Sequence, residues 1–174
     1  ELTRLSDLQP FLPYTAYTGG DGKPYADGIA IGGQILFANL SHSGPWVAAG
    51  VSLSPIGVDV QRCGDTSPER CLKIFHRFRH PEEQPSWFQP EGDELSIAGF
   101  AGFASWWALK ESVVKLTGEG LARSFTSFAL RPISKLESYV EYSTKIDHRS
   151  IRCFLLPQPA PDTAVAVAVY DDRS

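Results

Sequence analysis

Two side chains of opposite charge, Glu111 and Lys115, stand four residues apart in Trp107-Ala108-Leu109-Lys110-Glu111-Ser112-Val113-Val114-Lys115. On a helix this spacing stacks them on one stripe with Trp107, while Trp106, Leu109, Val113 and Leu116 gather on another side. A glutamate one turn before a lysine is also an ordinary surface ion pair, worth about 0.2–0.5 kcal/mol. Asp59 has the stronger claim to chemistry. In Ile56-Gly57-Val58-Asp59-Val60-Gln61, strand alternation puts Gly57, Asp59 and Gln61 on one face and Val58 and Val60 on the other. A carboxylate within an apolar strand is costly unless it is paired, hydrogen-bonded or bound to a cation.

Other groupings carry less. Ser41-His42-Ser43 sets hydroxyls beside an imidazole, but adjacent side chains rarely converge and no Gly-x-Ser-x-Gly elbow is present. Holding phosphate oxygens asks less geometry of such a segment than nucleophilic catalysis does. His76 and His80 have the spacing of zinc ligands on a helix, yet Arg77 follows His76 and Pro81 ends the helix. Gly118-Glu119-Gly120 lacks the spaced glycines and the Lys-Ser or Lys-Thr of a phosphate loop.

These residues need strands on both sides of a helical middle. Residues 35–40, 46–53 and 56–61 read as strands, with a tight polar bend at 41–45. Residues 71–79 and about 97–116 read as helices, with a short helix near 82–87 between them. Strands are expected again at 124–130, 138–145, 151–156 and 163–170. The last alternates small with branched residues, as a central strand does. Residues 5–12 resemble the tail of a helix, and 18–25 read as a loop carrying Lys23 and Pro24. Strands, helices, then strands predict an antiparallel α+β fold.

The 174 residues are 43% hydrophobic and 21% charged, which suits a packed core. A net charge of −4 argues against a nucleic-acid binder that neutralises many phosphates. No apolar run is long enough to span a bilayer, and no secretory signal is visible, so a cytoplasmic protein is expected. The chain starts at Glu1 and contains no methionine, so residues preceding Glu1 are expected. Cys63, Cys71 and Cys153 lack metal-ligand spacing and read as buried free thiols.

In order and separation, five segments resemble the Sfp-type 4′-phosphopantetheinyl transferases. They are Gly22-Lys23-Pro24-Tyr25, Asn39-Leu40-Ser41-His42-Ser43-Gly44 with Trp46, Ile56-Gly57-Val58-Asp59-Val60, Arg77-Phe78 leading to Glu83, and Trp107-x-x-Lys110-Glu111-Ser112-x-x-Lys115-x-x-Gly118-x-Gly120-Leu121. The resemblance implies two similar α/β halves with mainly antiparallel sheets. Residues 1–62 and 63–174 would form these halves, with the site between them. It implies transfer of the phosphopantetheine arm of coenzyme A to a serine of an acyl or peptidyl carrier protein. Magnesium is the implied cofactor, 3′,5′-ADP the by-product, and the protein a monomer acting on neither nucleic acid nor membrane.

Carried over by motif, Asp59 and Glu111 are the implied magnesium ligands, and Glu111 also the base for the carrier serine. Lys115 would stabilise the departing phosphate. Ser41 and His42 would hold coenzyme A phosphates, with Lys23 and Pro24 at the nucleotide end and Lys110 as a further phosphate contact. Glu83 would support the metal. Gln61 stands where the family often has a third acidic ligand, so weaker magnesium binding is expected. Arg4 is the only cation before Lys23, fewer than the family uses to grip the 3′-phosphate. Arg70, Lys73, Arg77 and Arg79 are expected to form a local basic patch for the acidic carrier. Two alternatives remain open: a non-catalytic member that binds carrier or coenzyme A, and a metal-dependent coenzyme A phosphoester hydrolase.

Overall fold

The structure is a computed structural model that describes residues 15–18, 24–27, 30–31, 34–64, 66–84, 97–120 and 123–172; before residue 36 only the backbone is described. Antiparallel strands and two α-helices make up the described residues, a mixed α+β architecture.

Short strands come first: β1 (Thr15–Thr18) pairs with β2 (Pro24–Asp27), and β3 (Ala30–Ile31) with β4 (Gln34–Ile35). Then β5 (Phe37–Ser43) and β6 (Trp46–Ser52) form a hairpin, and β7 (Ile56–Arg62) follows. Helices α1 (Pro68–Phe78) and α2 (Ile97–Thr117) occupy the middle. Four strands close the chain: β8 (Arg131–Lys135), β9 (Val140–Ile146), β10 (Arg149–Leu155) and β11 (Thr163–Tyr170). They join β7 in one antiparallel sheet of order β7-β11-β10-β9-β8. β7, which ends at residue 62, therefore pairs with strands from the last third of the chain.

The face of this sheet that meets α2 is lined by small residues. On β7 and β11 the cross-strand pairs are Gly57 with Ala168, Asp59 with Ala166, and Gln61 with Ala164, and all three alanines are fully buried. Small side chains let the helix lie flush on the strands. At Gly57 the fit is closest, since a Cβ there would overlap the Ser112 carbonyl oxygen and meet the Leu116 backbone nitrogen. The reverse face presents Val58 and Val60, both 2% exposed, to the β5–β6 hairpin, and Gly50 keeps that hairpin close to Val58. α2 is buried nearly all round at Leu109, Lys110, Ser112, Val113 and Val114. α1 is one-sided, burying Cys71 and Phe75 behind an N-cap in which the Ser67 hydroxyl accepts from the Arg70 amide.

Several expected elements differ. Residues 41–43 are not a bend but the end of β5; the turn is Gly44-Pro45, with Gly44 at φ +57°. Residues 124–130 do not form a strand. Phe125–Ser127 is one turn of 3-10 helix, because the Phe125 and Phe128 carbonyls are turned inward to the Lys110 ammonium. β8 went unrecognised because Pro132 lies within it; the strand is at the sheet edge and irregular between Pro132 and Ser134, where proline is tolerated. At 82–84 there is a turn and then irregular chain rather than a helix. The helix expected at 5–12 and the residues 85–87 lie outside the described residues.

Candidate active site

Asp59 sits mid-strand on β7, 5% exposed, beneath α2. One carboxylate oxygen, Oδ1, accepts from the Ser41 hydroxyl at 2.7 Å and from the Lys115 ammonium at 2.7 Å. The other oxygen, Oδ2, is buried with no hydrogen-bond partner. Burial pushes the carboxyl above its ordinary range, with Lys115, Ser41 and the Val60 amide opposing the shift. A buried carboxylate with one oxygen unsatisfied is a costly arrangement that the fold nevertheless keeps.

β5 is held against this strand by its side chains. The Val58 amide donates to the Asn39 Oδ1 at 2.9 Å, and the Arg62 amide to the Ser43 Oγ at 3.0 Å. Asn39, Ser41 and Ser43 alternate along β5, so all three reach β7 from one face. The sequence places Asn39 in a strand and 41–43 in a bend without marking Asn39 or Ser43 as anchors; the polar alternation is the available signal. His42 lies on the opposite face, exposed, so it and Ser41 do not converge.

On α2, Lys115 reaches Asp59 with a side chain 22% exposed, and Glu111 lies one turn earlier, partly buried. Gln61 is on the same β7 face as Asp59, and its Nε2 donates to the Arg62 carbonyl at 2.9 Å. Trp107 packs between Phe78, Phe103 and Phe125, with the closest ring centroids 5.1 Å apart.

Lys110 is not a phosphate contact. It is 0% exposed, and its ammonium donates to Glu83 Oε1 at 2.7 Å, the Phe125 carbonyl at 2.9 Å and the Phe128 carbonyl at 2.6 Å. An ammonium has three donors, and all three are spent. Burial lowers the Lys110 pKa against the opposing pull of Glu83. Glu83, expected to support a metal, has its oxygens engaged in the core. Its oxygens also take the Trp106 indole N–H at 3.1 Å and the His80 and Leu130 amides at 3.0 and 2.9 Å. The pair ties α2 to the chain on either side of it. Pro24 opens β2, which lies near β5, while Lys23 falls outside the described residues.

The donor set fits a hard divalent cation. Asp59 offers a buried, unsatisfied oxygen, and Mg²⁺ is usually held by one or two carboxylates with waters and substrate phosphates completing the shell. Among the described residues no three His, Cys, Asp or Glu side chains are grouped to hold a metal.

The antiparallel sheet thus seats a helix carrying a carboxylate and an ammonium over a strand aspartate. The chain belongs to the 4′-phosphopantetheinyl transferase superfamily, whose family model matches residues 55–169. It is 32% identical over 107 residues to the 4′-phosphopantetheinyl transferase gsp of Aneurinibacillus migulanus, covering 62% of this chain and 39% of that protein. It is 32% identical over 114 residues to the 4′-phosphopantetheinyl transferase psf-1 of Bacillus pumilus, covering 66% of this chain and 44% of the relative. Sfp of Bacillus subtilis strain 168 is 33% identical over 93 residues, 53% of this chain and 38% of its own length. Each match thus spans less than half of the relative. No helix among the described residues is long and apolar enough to cross a membrane.

Proposed function

We propose that this chain, as the matching part of a phosphopantetheinyl transferase, moves the 4′-phosphopantetheine arm of coenzyme A onto a serine of an acyl or peptidyl carrier protein. The carrier serine oxygen bonds to the phosphorus bearing the arm, the pyrophosphate bridge breaks, and 3′,5′-ADP leaves. The observation that carries this reading is the Asp59 carboxylate, paired with Lys115 on one oxygen and unsatisfied on the other.

Asp59 and Glu111, with the Gln61 amide oxygen, would hold magnesium. When bound, the ion would neutralise and orient the pyrophosphate oxygens. Glu111 accepts the proton of the carrier serine. Lys115, which reaches Asp59, would stabilise the leaving phosphate, where negative charge grows during the reaction. His42, exposed on β5, and Lys23 with Pro24 contact coenzyme A. We place the protein in the cytoplasm as a monomer.

Apo carrier, coenzyme A and magnesium are mixed with the protein, and the carrier is weighed by mass spectrometry. A gain of one phosphopantetheine unit is expected, lost in Glu111→Ala and Lys115→Ala. Binding without a mass gain would favour the non-catalytic reading, and breakdown of coenzyme A without carrier modification the hydrolase.

A further inference from the structure

The sheet face on which α2 rests is built from Gly57, Ala164, Ala166 and Ala168. Such small side chains allow close approach but give a helix few ridges to lock into, so they set its rotation only weakly. A firmer constraint comes from the flank of α2, at Glu83. Trp106 and Lys110 are four residues apart and share one stripe of the helix. The Trp106 indole N–H donates to Glu83 Oε2, and the Lys110 ammonium to Oε1. The carboxylate cannot turn with the helix, because backbone amides outside α2 hold the same two oxygens: His80 on Oε2 and Leu130 on Oε1. The Phe125 and Phe128 carbonyls take the remaining Lys110 donors. The group is sealed, with Lys110 0% and Glu83 6% exposed. A buried ion pair often gives no more stability than apolar side chains of equal volume. What it adds is direction, since hydrogen bonds are angular and apolar contacts are not.

Glu111 follows Lys110 by one residue, about 100° round the helix axis. Lys115 lies on the Glu111 stripe and reaches Asp59. Rotation of α2 therefore decides where both point. We propose that the Glu83–Lys110 pair is a rotational clamp on α2, which makes Glu83 and Lys110 positioning residues that aim Glu111 and Lys115 at the site. The inference rests on those two side chains carrying the transfer, as in the proposed function.

Lys110→Met combined with Glu83→Gln removes the ion pair without leaving a lone buried charge. Thermal melts establish that this double variant is folded. Its kcat for carrier modification is expected to fall about tenfold or more, because small misplacements of reacting groups are costly, with KM for coenzyme A and for carrier held within about threefold. A second readout needs no turnover. The Lys115 ammonium signal, followed by NMR of the lysine side chains, is expected to move toward the position it takes in Asp59→Ala. Wild-type kcat in the folded double variant, or a Lys115 signal that does not move, overturns the proposal and leaves the pair purely structural. If the double variant is unfolded, Trp106→Phe decides by the same two readouts. It removes one donor to Glu83 while keeping a ring in the core, and a kcat loss of about threefold is expected. A Lys115 signal that moves, in a protein whose wild type adds no mass to any carrier, upholds the clamp while removing the transferase reading.

Discussion

Asp59 places function against stability at a single residue. Burial makes its charged form unfavourable, so the folded chain holds the Asp59 proton more tightly than the unfolded one. The stability this gives is fully present below the ordinary carboxylate value and is lost as pH rises through the raised folded value. Asp59→Asn should therefore melt higher than wild type at neutral pH in metal-free buffer, by roughly 2–4 °C. The gap should widen as pH is raised from about 4, where scanning calorimetry across a pH series would read it. The same variant should lose carrier modification. Lys110 is the opposite case, a buried cation kept for structure. Lys110→Met leaves the Glu83 carboxylate buried without its cation and should cost about 3–5 kcal/mol in urea unfolding. Adding Glu83→Gln should recover part of that loss.

Among the elements, α2 and β7 make the contact on which the site depends. Their separation is set by Gly57, which rests on the Ser112 carbonyl and the Leu116 amide. Gly57→Ala must push the helix off the strand, so a cost of about 2–3 kcal/mol is expected from equilibrium unfolding. The displacement would also part Lys115 from Asp59. β7 is an edge strand of its sheet, and its outward amides at Val58 and Arg62 are taken by β5 side chains instead of a further backbone ladder. Side chains thus cover an edge that would otherwise be open to another strand. The long helix was legible because its apolar run is long, and β7 because valines alternate with small and polar residues along it. The turn at Phe125–Ser127 was not, because an apolar run is strand-like until a buried lysine takes its carbonyls.

For the whole molecule, a net charge of −4 gives no general attraction for an acidic carrier. Any attraction for the carrier of the proposed reaction would be local. Arg70, Lys73 and Arg77 are exposed along one side of α1, whose other side buries Cys71 and Phe75. If the proposed transfer uses this stripe, Lys73→Glu with Arg77→Glu should raise the KM for carrier at least about fivefold. The kcat should change little, and added salt should narrow the difference from wild type. Restoring an acid by Gln61→Glu should lower the magnesium concentration giving half-maximal rate, read from a metal titration of the transfer assay. An unchanged magnesium dependence would show that Gln61 has no part in holding the ion.

Residue types and order along the chain were enough to single out Asp59, the Glu111–Lys115 stripe and the family, because helix and strand periods are local and survive in a one-dimensional text. They were also enough to show that Gln61 lacks a charge expected there. Only the tertiary structure decided what each polar group touches. Lys110 and Lys115 are five residues apart on one helix, yet one is sealed in the core with Glu83 and the other reaches Asp59 at the surface of the sheet. The difference arises because partners of a buried charge come from segments far away in sequence: Glu83 for Lys110, and a strand ending 53 residues before Lys115. Burial converts those distant meetings into either a closed ion pair or an oxygen left open for a cation.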